Sequence, residues 1–320
     1  MRQYRSCTRR PGVRYSSTWT PLRFMTIVTS FLCLLSGVAV LLRARPLLQG
    51  MTSFTDRPDI EQIHMVSDDH IVNFIPYDRA SLKSHAKWRK QDMQSKKVAL
   101  ITGAAGALGS ATAATFKKAG YRLSLLDMNI KPLQERWEGK EHVTCLPCDL
   151  TDAGNIEDAV DKTVRMYGSI DTLLTIAGGF AMGPQIHELT EEEWDSMQNM
   201  NLRTVFLAAR AVIPHMRKQQ SGSIVTIGAQ TALHGAANLA PYVVSKSSVI
   251  RLTECMAQEN KTEGIRVNCI LPSVIDTPAN RADMPDADFS KWTKPEAIAD
   301  VLLFLASDAS KAVNGASIPV

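Results

Sequence analysis

The chain has 320 residues, of which 45% are hydrophobic and 21% are charged. This is the composition of a globular protein, and it excludes a disordered, collagen-like or coiled-coil chain. The net charge is +4, but residues 1–95 carry 14 Lys and Arg against 7 Asp and Glu, whereas residues 96–320 carry 22 against 25. Because the basic excess lies only in the front part of the chain, we expect no nucleic-acid partner.

The first 50 residues have the composition of a targeting segment. They contain 8 Arg and no Lys, Asp or Glu, which is typical of a mitochondrial presequence. Within them, residues 24–42 are uncharged, and as a helix this stretch is about 28 Å long, enough to cross a membrane once. Three interpretations stay open: a membrane anchor with or without import into an organelle, a leader that is removed, and translation that begins at Met51. The location is accordingly mitochondrial, membrane-anchored or, in the third case, cytoplasmic. We expect residues 51–95 to be a linker.

From Lys97 onward, short apolar runs alternate with helical patterns. The apolar runs predict strands at 98–102, 123–126, 143–146, 173–176, 223–227, 266–270 and 316–320. The helical patterns cover 105–119, 155–167, a long stretch opened by a capping box at 190–193, 240–260 and 295–307. Regular alternation of strand and helix predicts that residues 96–320 form one α/β domain, a Rossmann-type doubly wound parallel sheet.

Cys145 and Cys148 form a C-x-x-C pattern. The pattern has two interpretations, a redox or metal site and the end of a strand that carries two small residues. A zinc site needs four ligands, and neither a second cysteine pair nor a histidine cluster supplies the others. We therefore expect no metal site.

A glycine-rich turn, TGAAGALG at 102–109, follows the first predicted strand and opens a helix. Glycine lets backbone amides approach a pyrophosphate, and the helix N-terminus favours its negative charge. Asp127 ends the second strand, where a carboxylate accepts hydrogen bonds from the ribose of NAD and repels the 2′-phosphate of NADP. No Lys or Arg in the turn offsets that repulsion, so we expect NAD(H) to be preferred over NADP(H). The alternative is that Asp127 is an ordinary turn carboxylate.

Tyr242 and Lys246 lie four residues apart in the predicted helix at 240–260, so their side chains share one face. A neighbouring ammonium favours the phenolate, and we expect Lys246 to lower the pKa of Tyr242. A tyrosine tuned in this way gives a proton to a carbonyl or imine while hydride arrives, or accepts one in the reverse direction.

With these motifs, residues 96–320 resemble the short-chain dehydrogenase/reductase family. The resemblance implies three catalytic residues: Tyr242, Lys246, which also holds the cofactor ribose, and Asn201, which orders a water that leads protons to Lys246. It also implies a small-molecule substrate and a homodimer or homotetramer that pairs through about 190–217 and 240–260. The cofactor-binding residues that it implies are Gly103, Leu108, Gly109, Asp127, Asp149, Leu150, Ala177, Gly178, Lys246, Pro272 and Thr277.

One position departs from the family pattern. The catalytic serine of the family lies 13 residues before the tyrosine, and this chain has Ala229 there. Either Gln230 or Thr231 replaces the missing hydrogen-bond donor, or the substrate needs less polarisation. The branch of quinonoid dihydropteridine reductases also lacks the serine. This chain is similar to that branch at 177–179, 227–229, 271–281 and 284–292.

The branch resemblance implies an NADH-dependent reductase of a quinonoid pterin. Four apolar residues are candidates for the wall of its substrate pocket, with ordinary packing as the alternative: Phe180, Met182, Phe289 and Trp292. The alternative functions are a ketone or 3-oxoacyl reductase or alcohol dehydrogenase of the same family, and a catalytically weak NADH-binding sensor or scaffold. An enzyme is favoured because a pure binder needs only the lysine.

Overall fold

A computed structural model of the chain describes residues 66–67, 70–71 and 96–320. The predicted targeting segment with its apolar stretch at 24–42, and the rest of the predicted linker, lie outside the described residues. Among the residues that are described, no helix is both long and apolar enough to cross a membrane. Val66–Ser67 (β1) and His70–Ile71 (β2) form a short antiparallel pair.

Residues 96–320 form a seven-stranded sheet in which all neighbouring strands are parallel. Its strands are β3 Val98–Thr102, β4 Arg122–Asp127, β5 Val143–Pro147, β6 Thr172–Thr175, β7 Gly222–Ile227, β8 Ile265–Leu271 and β9 Ser317–Pro319. Their order is β5-β4-β3-β6-β7-β8-β9. The chain winds outward in one direction from β3 and in the other direction from β6, which confirms the predicted doubly wound sheet. The carboxyl ends of β3 and β6 flank the point where the order reverses, where such sheets bind ligands.

The helices connect these strands. They are α1 Ala107–Lys118, α2 Lys131–Trp137, α3 Ala153–Tyr167, α4 Glu191–Gln198, α5 Thr204–Gln219, α6 Ala240–Glu259, α7 Pro278–Asp283 and α8 Pro295–Ala306. The predicted capping box is present at the start of α4, where Thr190 and Glu193 exchange hydrogen bonds. Between α4 and α5 the chain does not continue as one α-helix, because Asn199–Arg203 form a π-helical turn.

Two apolar cores lie on opposite faces of the sheet. Ile101 of β3 belongs to the first core, together with Phe116 of α1 and Leu302 of α8. Leu100, its neighbour in β3, belongs to the second core with residues of α3, α5 and α6. Successive side chains of a strand point to opposite faces, so a strand buried on both sides is apolar at every position, as the sequence of β3 predicts.

All seven predicted strands of the sheet are present, with bounds that shift by at most one residue. Two helices were missed. In α7, Thr277 accepts a hydrogen bond from the N–H of Asn280 and Pro278 occupies the first helical position, a threonine–proline start that the sequence displays. In α2, a proline also lies in the first turn, but Ile130 provides no side-chain cap, so the start of this helix is marked less clearly in the sequence.

Candidate active site

The glycine-rich turn is built from positions that tolerate no side chain. Gly103 has a φ of +65°, and a Cβ on it would lie 2.7 Å from the backbone nitrogen and Cα of Ala177. A Cβ on Gly109 would collide with the carbonyl oxygen of Gly103 and lie 2.7 Å from Cα of Ala104. These contacts bring the start of α1 tightly against the end of β3 and the segment after β6. Leu108 anchors α1 in the first core.

Asp127 is tied to the same turn. Its Oδ2 accepts a hydrogen bond of 3.0 Å from the N–H of Ala105, and its Oδ1 accepts one of 2.9 Å from the N–H of Asn129. Each carboxylate oxygen has a second lone pair, so these bonds leave acceptor capacity for a ligand. The carboxylate therefore both shapes the turn and presents negative charge beside it.

Asp149 and Leu150 follow β5. Asp149 is exposed, and its Oδ1 accepts hydrogen bonds from the N–H and the hydroxyl of Thr151. Leu150 is buried in the second core. The N–H of Cys148 bonds the carbonyl oxygen of Asp127, which links this segment to the end of β4 at the same edge of the sheet.

Gly178 is the place where Asn201 and Lys246 converge. A Cβ on Gly178 would lie 2.7 Å from Oδ1 of Asn201 and 3.2 Å from Nζ of Lys246. The neighbouring Gly179 donates its N–H to Oδ1 of Asn201 at 2.9 Å. The segment after β6 thus passes directly over two of the predicted catalytic residues, and only a glycine leaves room for them.

Asn201 lies in the π-helical turn and is fully buried. Its Nδ2 is 3.1 Å from Oγ of Ser245, which in turn donates to the carbonyl oxygen of Tyr242 at 2.8 Å. Turns of this kind often occur at functional sites. Sequence reasoning missed Ser245, which lies next to Lys246 and joins Asn201 to the backbone of Tyr242.

Lys246 is buried on α6, and its Nζ donates a hydrogen bond of 2.9 Å to the carbonyl oxygen of Ile227. Burial lowers the pKa of Lys246 to about 8, because the charged form loses its hydration. An ammonium has three N–H donors, so two remain beyond the bond to Ile227.

Tyr242 is half-buried on α6, and its ring packs edge to face with that of Phe180, the ring centroids being 4.9 Å apart. Burial raises the pKa of Tyr242. The expectation that Lys246 lowers the pKa of Tyr242 was wrong for this arrangement, because desolvation of the phenolate decides the direction of the shift. The phenol is therefore protonated at neutral pH, as a proton donor must be.

Ala229 lies in an apolar cluster with Val205, Ile250 and Leu271, and Tyr242 packs against that cluster. The two candidates for a replacement donor lie beside it. The side-chain amide of Gln230 donates to the carbonyl oxygen of Val320 at 3.2 Å, and its backbone N–H donates to that of Pro272. Thr231 is exposed. The side chain of Gln230 is thus engaged elsewhere, and Thr231 stays a candidate for the replacement donor.

A cleft of about 320 Å³ opens between the start of α1 and the segment after β8. Its lining includes Ala107, Thr277, Arg281 and Lys294. Arg281 forms two hydrogen bonds with the carboxylate of Asp276, at 2.6 and 2.8 Å. The lining also includes the acidic Asp276 and Glu296, so the cleft combines one residue of the glycine-rich turn with side chains of both charges.

Of the four predicted wall residues, only Phe180 has a described contact with Tyr242. Phe180 and Met182 are exposed by 59% and 65%. Phe289 and Trp292 pack on each other at 4.7 Å, and the guanidinium of Arg281 lies over the ring of Phe289 at 4.6 Å. These last two aromatic residues stabilise the segment after β8, and their role as a substrate wall stays a prediction.

Comparisons with known proteins agree with this geometry. Residues 97–288 match the family model of the short-chain dehydrogenases. The chain belongs to the short-chain dehydrogenase family. It is 36% identical over 231 residues to a 3-oxoacyl-[acyl-carrier-protein] reductase of Thermotoga maritima, covering 68% of this chain and 94% of that protein. It is 32% identical over 239 residues to the 2-(R)-hydroxypropyl-CoM dehydrogenase of Xanthobacter autotrophicus, covering 69% and 96%.

A solved structure shares the fold of this short-chain dehydrogenase. An NAD⁺-bound xylitol dehydrogenase is 27% identical to this chain and superposes with a TM-score of 0.65. The match covers 70% of this chain and 97% of that protein. These relatives are dehydrogenases and reductases, so this chain is an oxidoreductase of the same family.

The cysteine pair of this short-chain dehydrogenase does not form a disulfide. Cys145 and Cys148 are free thiols, and burial, with the neighbouring Asp149 and Asp152 adding to it, raises the pKa of Cys148 to about 11. Cys148 is thus a neutral buried thiol. Within the described residues, no group of three or more His, Cys, Asp or Glu side chains could hold a metal ion.

Proposed function

We propose that the protein is an NADH-dependent reductase that uses Tyr242 as its proton donor. The observation that carries this proposal is the assembly around Gly178, where Asn201 and Lys246 converge and Ser245 joins Asn201 to the backbone of Tyr242. Three separate parts of the chain, the segment after β6, the π-helical turn and α6, contribute to it. A domain that only bound the cofactor would need the lysine alone.

The residues present fit a dinucleotide. At Gly103 and Gly109 the backbone packs too closely for any Cβ. The turn that they form is the cradle for a pyrophosphate, because it leads directly into the N-terminus of α1, and the cleft lined by Ala107 and Thr277 borders it. Lys246 has two free N–H donors for ribose hydroxyls. Asp127 favours NAD over NADP, because its charge would repel a 2′-phosphate. Among the solved structures similar to this chain, one holds NAD⁺ and another holds NADP, so they support a nicotinamide cofactor of either kind.

When bound, a reduced nicotinamide supplies hydride, that is, both electrons of the reduction. The Oη–H bond of Tyr242 breaks as the proton passes to the oxygen or nitrogen of the substrate, and the product has gained one hydride and one proton. Tyr242 is left as a phenolate. It is the third residue of α6, where the positive end of the helix dipole stabilises an anion.

The substrate that we propose is a quinonoid heterocycle such as a quinonoid dihydropterin. Removing an oxyanion donor commonly costs about 10²–10³ in rate, and Ala229 provides no such donor in its apolar cluster. A quinonoid imine is already electron-poor, so it needs a proton donor more than it needs a hydrogen-bond donor that stabilises negative charge on an oxygen. The exposed ring of Phe180 beside Tyr242 offers a planar substrate a surface on which to stack.

A second candidate is the reduction of a 3-oxoacyl thioester or another ketone. It is favoured by the 36% identity to a 3-oxoacyl-[acyl-carrier-protein] reductase. In this case the side chain of Gln230 would have to leave Val320 and turn toward the substrate oxygen.

The test is an assay of NADH oxidation with the full-length protein. Quinonoid dihydropterin, a 3-oxoacyl thioester and simple ketones are compared, with Tyr242→Phe as the control. The proposal is supported if the wild type oxidises NADH rapidly with the pterin and Tyr242→Phe does not. Preference for the thioester or a ketone selects the second candidate, and tight NADH binding without turnover of any of them selects the sensor.

We also propose that the protein is a homodimer or homotetramer. Phe206 of α5 and Val244 of α6 are exposed apolar residues on the two helices through which the family resemblance predicts pairing. Sedimentation equilibrium measures the mass, and Phe206→Glu is expected to shift it toward the monomer. A wild-type protein that sediments as a monomer contradicts the proposal.

A further inference from the structure

Ser245 makes two hydrogen bonds that join Asn201 to Tyr242. It lies on α6 directly before Lys246, and it has no exposed surface. Its Oγ is 2.8 Å from the carbonyl oxygen of Tyr242 and 3.1 Å from Nδ2 of Asn201. Neither the family motifs nor the proposed chemistry gives this residue a role.

The direction of these bonds follows from the groups involved. A carbonyl oxygen only accepts, so the single hydroxyl proton of Ser245 goes to Tyr242, and its oxygen accepts from the amide of Asn201. At the other end, the backbone N–H of Gly179 only donates, so it bonds Oδ1 of Asn201, at 2.9 Å. One orientation of the Asn201 amide therefore satisfies all of these partners, and a flipped amide would leave the N–H of Gly179 without its acceptor.

We propose that Ser245 is a positioning residue that holds the side chain of Asn201, and through it the Gly178–Gly179 segment, above Lys246. The inference rests on the proposed function, in which these groups surround the proton donor. Without the Ser245 hydroxyl, Nδ2 of Asn201 keeps only a weak contact with Sδ of Met197, at 3.9 Å. Because a buried amide without a strong partner turns to find one, Oδ1 would leave Gly179.

Ser248 provides a matched control on the same helix. Its hydroxyl donates to the carbonyl oxygen of Val244 at 2.9 Å, so it also bonds the helix backbone one turn back. It has no described bond to Asn201. Replacing Ser248 by alanine therefore removes a similar hydroxyl from α6 and leaves the connection between Gly179 and Tyr242 intact.

The first experiment measures hydrogen exchange of the Gly179 amide in the full-length protein by NMR. We expect Ser245→Ala to speed this exchange by about tenfold or more, because the acceptor Oδ1 is no longer held in place. Ser248→Ala is expected to leave it unchanged. This measurement needs no turnover, so it decides the positioning role even if the proposed reaction fails. Unchanged exchange in Ser245→Ala would overturn the inference.

The second experiment is a double-mutant cycle on the turnover number. Ser245→Ala is expected to lower kcat by about tenfold while the Kd for NADH changes by less than about twofold, and Ser245→Cys, with its weaker hydrogen bonds, to lie between. If Ser245 acts through Asn201, Ser245→Ala causes no further loss in an Asn201→Ala background. If instead the losses in kcat of the two single variants multiply in the double variant, Ser245 has a general structural effect and the inference is overturned. The cysteine variant keeps the test valid if an alanine variant folds poorly.

Discussion

The ring of Phe180 packs edge to face with the ring of Tyr242, with centroids 4.9 Å apart and an interplanar angle of 79°. Phe180 is nevertheless 59% exposed, so most of its surface remains available to another molecule. Its contact fixes one side of the phenol, while the apolar cluster of Ala229 packs against Tyr242 as well. The phenol of Tyr242, the proposed proton donor, therefore lies between apolar groups, and this burial is the cause of its raised pKa.

Replacing Phe180 by alanine is expected to weaken substrate binding more than folding. An edge-to-face pair contributes about 0.5–1.5 kcal/mol, and an exposed ring adds little to the core. We expect KM for a planar substrate to rise about tenfold, with the thermal midpoint nearly unchanged. Met182→Ala is the control, because Met182 is a similarly exposed apolar residue without a ring. Equal KM changes in the two variants would argue against stacking on Phe180.

Gly109→Ala is expected to destroy the cofactor site. The new Cβ would collide with the backbone of Gly103 and Ala104, so α1 must move away from the turn, and we expect a destabilisation of about 2–4 kcal/mol. Gly106→Ala is the matched control, since its Cβ would meet only the carbonyl oxygen of Gly103 at an ordinary 3.5 Å. Denaturant titration and NADH fluorescence measure the two effects. Similar NADH affinity in both variants would contradict the cradle.

Lys246 makes the stability of the protein depend on pH above neutrality. Its pKa falls from 10.5 to about 8 because burial disfavours the ammonium. Between these values the unfolded chain binds more protons than the folded one, so the contribution of Lys246 to stability rises with pH, by up to about 3 kcal/mol. Below pH 8 both states are charged and the contribution is constant.

Urea denaturation of the wild type and Lys246→Met between pH 7.5 and 10.5 measures this contribution. The other buried tyrosines and cysteines with raised pKa values are common to both proteins and cancel in the difference, and Cys269, whose pKa responds to the charge of Lys246, is replaced by alanine in both. We expect the wild type to gain stability relative to the variant as the pH rises. A difference that is flat across this range would show that Lys246 is solvated and retains its ordinary pKa.

The sequence predicted the sheet well because its strands are buried on both faces and read as continuous apolar runs, as at β3. It also predicted that Tyr242 and Lys246 lie on one helix, which is α6, while their catalytic role and that of Asn201, which came from the family resemblance, stay predictions. It did not predict the π-helical turn, since nothing in Asn199–Arg203 distinguishes it from an α-helix. Ser245 was missed because a serine between a tyrosine and a lysine carries no pattern. The pKa of Tyr242 depends on packing by Phe180, which is distant in sequence.

Asp127 is expected to set the preference for NADH. Asp127→Asn removes the charge that repels a 2′-phosphate, while one amide oxygen still accepts a hydrogen bond from the turn. We expect the ratio of kcat/KM for NADH to that for NADPH to fall about 10-fold to 100-fold. Asp149→Asn, which neutralises an exposed carboxylate after the neighbouring strand, is the control. If Asp127→Asn leaves the preference for NADH unaltered, Asp127 only shapes the glycine-rich turn and does not select the cofactor.

Ala229→Ser tests the type of substrate. The new hydroxyl would lie in the apolar cluster next to Tyr242, where it lacks a described partner, and an unpaired buried hydroxyl costs about 1–3 kcal/mol of stability. A carbonyl substrate would gain a hydrogen-bond donor, whereas a quinonoid imine depends on the proton from Tyr242.

We therefore expect Ala229→Ser to leave kcat on a quinonoid dihydropterin within about threefold of the wild type and to lower the midpoint of thermal unfolding. Ala232→Ser is the control for the loss of stability, because Ala232 is a buried alanine of the same cluster. The assay compares both variants with the pterin and with a 3-oxoacyl thioester. The result that would favour the ketone reductase is a rise of tenfold or more in kcat on the thioester in Ala229→Ser but not in Ala232→Ser. Such a rise would show that the missing hydrogen-bond donor limits the rate.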